Sequence, residues 1–143
     1  AGPLTNFLLA FIAALLTFLV PLSQSAKLDI FARFSRVVSG GDGFLERFGH
    51  LAETMTGSLP HIFFGLLLFV VFWNVVLGCF NLIPIPPLDG SKILFTFFPV
   101  NEQTERQLEQ YGFLGLLILI FLFPGPISTF IAYFLNFFFS LIL

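Results

Sequence analysis

Asp89 closes the stretch Asn81–Ser91, NLIPIPPLDGS, in which Pro84, Pro86 and Pro87 follow an apolar run long enough to cross a bilayer. Each proline removes a backbone donor and clashes with the turn before it. Each also pushes the residue ahead of it towards extended geometry. Together they enforce an unwound segment, and inside a bilayer such backbone is tolerated only where protein or a water-filled cavity receives its polar groups. The pattern therefore predicts a polar cavity beside the prolines. A carboxylate at that depth costs about 2.5–3.5 kcal/mol unless it is compensated. Three compensations fit the residue types: an N-cap for a helix beginning at Gly90, an ion pair with Lys92 three residues on, or service as a hard oxygen ligand to a cation such as zinc.

The other groups capable of chemistry are sparse. His50 and His61 stand eleven apart, which is no metal-ligand spacing, and read as solvated or interfacial. Cys79 is the single cysteine, so an internal disulfide is excluded. It lies in an apolar run and reads as a small buried residue.

The elements that must position Asp89 belong to a membrane protein. Of 143 residues, 57% are hydrophobic and only 10% charged, whereas a soluble domain carries about 25% charged residues. A net charge of −2 with no basic patch argues against nucleic acid as a partner. Residues 1–22 hold a first transmembrane helix, Leu4 to Leu22 being about 28 Å long against a hydrocarbon core of about 30 Å. Gly2, Asn6, Ala10, Ala13, Ala14 and Thr17 fall within about 120° of one another on its helical wheel. Such a stripe of small and weakly polar side chains marks a face where another helix packs closely, and an interhelical hydrogen bond suits Asn6.

Residues 23–60 form a polar extramembrane interval with two amphipathic segments, AKLDIFARFSRVV and GFLERFGHLAETM, around a Gly-rich turn at Gly40–Gly43. Ile30, Phe31, Phe34 and Val37 recur at helical spacing, which suits a helix lying on the membrane surface. Residues 61–92 hold the second transmembrane helix and the proline-broken end. Asn74, Gly78 and Asn81 share one face there and suggest a second tight seam, and Trp73 near mid-span is expected to pack inside the bundle. Residues 93–111 read as a short apolar piece and a separate polar helix opened by Asn101, in which Thr104 and Gln107 form a capping box. Residues 112–143 are hydrophobic carboxyl-terminal helices interrupted by Pro124–Pro126. They form either one kinked crossing with an interfacial tail or a shallow hairpin.

AGPLTN at Ala1–Asn6 and FNLIPIPPLDG at Phe80–Gly90, in that order, resemble the site-2 protease family of intramembrane zinc metalloproteases. The second motif is the more specific: Asn, two residues, Pro, then Leu-Asp-Gly at a transmembrane helix end. The resemblance implies an all-α membrane helix bundle with a proline-broken helix end at the active site, in a multi-pass protein of a bacterial or archaeal cell membrane. It implies Zn2+ as cofactor, with Asp89 the third zinc ligand. Asn81 matches the asparagine that lines the family's active site, and Asn6, Pro84, Pro86 and Pro87 are expected to line it as well. The backbone over 83–88 is expected to offer N–H and C=O groups to an unwound transmembrane protein substrate. Gly2, Ala10, Ala13, Asn74 and Gly78 are helix-packing positions.

The family's other two zinc ligands and its general base lie on a His-Glu-x-x-His helix, and this sequence has no such motif. The expectation is a carboxyl-terminal part of a protease, whose partners are the upstream half of the same protein, a transmembrane substrate and the lipid bilayer. The competing readings are a non-catalytic membrane relative and a structural or transport helix bundle. By resemblance the Leu-Asp-Gly end faces the cytosol, while the four Lys/Arg of the polar interval against two in Ile83–Tyr111 lean the other way.

Overall fold

The computed structural model describes residues 2–40 and 42–142. Among them the secondary structure is all helical: α1 (Gly2–Leu19), α2 (Gln24–Val38), α3 (Phe44–Met55), α4 (Leu59–Leu82), α5 (Asp89–Phe97), α6 (Glu102–Leu122) and α7 (Pro124–Ser140). Helices α1 and α4 are each long and apolar enough to cross a membrane. The chain is an all-α membrane protein. Its residues group into two compact units, one of α1 up to Leu8 with Asn74–Phe137, the other of Leu9–Trp73 with the chain from Phe138.

In the second unit the small-residue stripe of α1 is buried, with Ala10, Ala13, Ala14 and Thr17 all nearly inaccessible. The end of α1 leaves carbonyls with no helical partner, and Lys27 at the start of α2 supplies one, its Nζ donating to the Thr17 carbonyl at 2.9 Å. A cation at a helix C-terminus also meets the negative end of the dipole. Ser23 begins α2 by accepting the Ala26 N–H, and α2 packs against α3.

The apolar face of α2 does not lie on lipid. Ile30 and Phe34 are fully buried and Val37 nearly so. The Phe34 ring stands edge-on to Phe69, Phe72 and Phe139, with centroids 4.9, 6.0 and 5.9 Å away. An amphipathic pattern states that one face is apolar, not whether protein or lipid covers it, and here protein does. Trp73 departs from its reading in the opposite sense: it is 56% exposed, touching Phe72 edge-on.

In the first unit Gly78 of α4 lets α1 approach. A β-carbon there would stand 2.9 Å from the Phe7 ring, and Phe7 in turn stacks on Phe134 of α7 at 5.2 Å. Asn74, on the same face, is half-buried. Helix α6 runs unbroken from Glu102 through Gly112 to Leu122, so the polar and apolar pieces expected to be separate are one helix. Its cap is Asn101, whose side chain accepts the Thr104 N–H at 2.8 Å, rather than Thr104 itself. Helix α7 starts at Pro124, the position where a missing N–H costs nothing, and α6 and α7 meet at a bend of 89°.

Candidate functional site

The site is assembled where α4 ends. The residues from Ile83 to Leu88 turn sharply: the Ile83 N–H donates to the Phe80 carbonyl, Ile85 to Ile83 and Leu88 to Ile85, at 2.8–3.0 Å. Pro84, Pro86 and Pro87 carry no N–H, so these three bonds consume every amide donor between 83 and 88. The expectation of free N–H groups in this segment is corrected accordingly. A chain forced to unwind by proline has folded its remaining donors inward as turns, and a visiting strand would find carbonyls only. Pro86 is buried while Pro84 and Pro87 are exposed. The backbone of Pro86 lies against α6, where a β-carbon at Gly112 would stand 2.6 Å from the Pro86 carbonyl carbon.

Asp89 is the first residue of α5 and not its cap; the cap position is Leu88, whose side chain makes no capping bond. The carbonyl of Leu88 accepts the Ser91 hydroxyl at 2.7 Å. Gly90 follows because the start of α5 packs onto the end of α4, and a β-carbon would overlap the carbonyl oxygens of Leu82 and Ile83. The Asp89 carboxylate is about one-third exposed and accepts a hydrogen bond from Lys92 Nζ at 3.0 Å. That bond, more than the surrounding charge, raises the Lys92 pKa above its ordinary value.

The decisive neighbour comes from the other end of the sequence. A β-carbon on Gly2 would collide with the Asp89 carboxylate, lying 2.9 Å from its Cγ. The glycine of Ala-Gly-Pro and the aspartate of Leu-Asp-Gly are thus in contact, in one unit. Asp89 borders a cleft of about 600 Å³ lined also by Pro3, Leu4 and Phe7 of α1, Leu82 of α4, and Lys92 and Ile93 of α5. The carboxylate and the ammonium are its charged groups, set in apolar walls.

The sequence profile of Peptidase family M50 matches residues 1–123, which include both motifs. The chain belongs to peptidase family M50, the site-2 protease family. It is also 31% identical over 134 residues to the protein named "Putative zinc metalloprotease YwhC" of Bacillus subtilis (strain 168), a match covering 93% of this chain and 47% of that protein. The chain thus spans about half the length of the curated relative it matches. No solved structure matches.

The remaining expected site residues are not among those that line the cleft. Asn81 is half-buried in the last turn of α4 and Asn6 half-buried on α1, and neither lines the cleft with Asp89. His50 lies between Glu46 and Glu53 at 3.9 and 3.7 Å, and His61 bonds Ser58 at 2.7 Å. Cys79 is buried and lines a separate apolar cavity of about 440 Å³ with Phe80, Ile83 and Ile127. Among the described residues no three His, Cys, Asp or Glu side chains come together. A catalytic zinc takes three protein ligands and keeps a position open, so these residues do not by themselves make a zinc site. Asp89 fits one position of such a site.

Proposed function

We propose that this chain is part of an intramembrane zinc metalloprotease, a multi-pass protein of a bacterial or archaeal membrane, in which Asp89 supplies the third metal ligand. The observation that carries this is the contact between Asp89 and Gly2. It holds the carboxylate against the first turn of α1, where ligands from elsewhere in the whole protein would meet it. The bound metal would supply Lewis acidity for hydrolysis of a transmembrane substrate's peptide bond.

What the chain's own residues do follows from the cleft. The glycine leaves the carboxylate room at the α1 surface, and the apolar walls limit water around it. The Lys92 ammonium neutralises the carboxylate until a stronger cation takes it. The tight turns of residues 83–88 fix α5, and hence Asp89, relative to the end of α4.

The test is made on the full-length protein. Asp89→Ala is expected to lose both bound zinc and cleavage of a transmembrane substrate, while Lys92→Met keeps its zinc. Unfolding temperature in detergent separates metal loss from misfolding. Zinc and proteolysis both retained in Asp89→Ala would sink the proposal, and a correctly folded wild-type protein without zinc would point to the non-catalytic relative.

A further inference from the structure

A second cluster of charge lies in the other unit, in the hairpin of α2 and α3. Arg33 and Arg36 from α2, and Arg47 and His50 from α3, line one small cleft of about 60 Å³. The segment as a whole is nearly neutral, since Asp29, Asp42, Glu46 and Glu53 balance its cations. The feature is therefore the lining, which is cationic or imidazole throughout. No carboxylate lines the cleft itself, although Asp29 bonds Arg33 Nε at 3.0 Å from one turn earlier on α2 and Glu46 and Glu53 flank His50. Arg47 is fixed by its Nη1 donating to the Gly40 carbonyl at 2.7 Å. Arg36 is exposed, and no carboxylate among the described residues pairs with it. Planar guanidinium groups converging on one cleft match the oxygens of a phosphate, which they bind bidentately.

The source of that phosphate follows from the apolar groups beside it. Phe44 and Phe48 stack on one another at 6.0 Å. They are 51% and 44% exposed, and Leu45 next to them is 82% exposed. A soluble anion has no use for them, whereas an interfacial helix that inserts apolar side chains beside arginines is suited to an anionic bilayer. The hairpin is also tethered there. It begins at Gln24, soon after α1 ends at Leu19, and it ends at Met55, just before α4 begins at Leu59, and both flanking helices are long and apolar enough to span.

We propose that the Arg33–Arg36–Arg47 cleft binds the phosphodiester headgroup of an anionic membrane lipid, with Phe44, Leu45 and Phe48 seated among its acyl chains.

The experiment uses the full-length protein equilibrated with equal phosphatidylglycerol and phosphatidylcholine, bound lipid being counted by native mass spectrometry. Wild type retains phosphatidylglycerol in preference, and Arg36→Gln lowers that preference roughly fivefold, the effect of one surface arginine on anionic lipid. Arg36→Lys keeps most of it, and Arg106→Gln on α6 changes nothing. Asp29→Asn, which releases Arg33, raises the preference, a gain that loosened structure would not give. Equal retention of the two lipids by wild type overturns the proposal. So does full displacement of phosphatidylglycerol by inorganic phosphate or by an acidic peptide, which would assign the cleft to a soluble anion or to a protein partner.

Discussion

At Asp89 two roles compete for one carboxylate. The ion pair with Lys92 at 3.0 Å satisfies its charge in the chain as it stands. Because Asp89 raises the Lys92 pKa, the pair's contribution is complete below the unfolded lysine value and is lost only as pH climbs through the raised one, well into the alkaline range. Changes near neutrality therefore do not release Asp89; a competing cation must. The contact with Gly2 sets where that cation can be met. Gly2→Ala places a methyl against the carboxylate. The carboxylate is the mobile end of a side chain, so the expected result is a turned Asp89 and an intact fold. In the full-length protein, chelator competition should then show zinc affinity reduced about tenfold, the lower end of what mispositioning a ligand costs, with the unfolding temperature unchanged. Unaltered affinity would show that the contact does not position the ligand. The pairing of Asp89 with Lys92 could be read from their spacing alone. Its meeting with Gly2 could not: nothing local in either motif encodes a contact across so much chain, and in the sequence Gly2 reads only as a helix-packing position.

Among the elements, a tight seam at Gly78 is expected from the sequence, without its partner, because close helix approach demands small side chains and little else. Gly78 meets that demand against Phe7, which is itself held by Phe134. Gly78→Val should destabilise the protein by about 2 kcal/mol through overpacking. Adding Phe7→Leu should recover part of the loss, because the two positions share one contact. Unfolding in mixed anionic micelles measures both, and strictly additive losses would refute the seam. Other elements were misread for identifiable reasons. Gly112 suggested a boundary, yet it sits inside α6 because the Pro86 backbone needs the space a side chain would fill. The α2 stripe suggested lipid, since apolar periodicity cannot name the medium that covers it. The proline run correctly predicted an unwound helix end, but the direction of its three amide donors depends on turn geometry that composition does not fix.

For the molecule as a whole, the open choice in the sequence was how residues 112–143 meet the membrane. The 89° bend between α6 and α7 narrows it. The first half of α6 is polar, and its apolar part from Gly112 to Leu122 rises only about 16 Å, roughly half of the hydrocarbon thickness. A straight continuation through α7 would complete the crossing, but a helix turned through a right angle adds almost no depth. A bent pair of this kind is either a broken span or a re-entrant loop, and the expected arrangement is the second, entering the bilayer without traversing it. Single cysteines at Gln103 and Asn136, in a protein with Cys79 replaced by Ala, test this with a membrane-impermeant maleimide applied from either side. Gln103→Cys is expected to react from one side, and Asn136→Cys from that same side or from neither. Labelling of Asn136→Cys from the opposite side would show that α6 and α7 together make a full crossing, with the bend straightened in the bilayer.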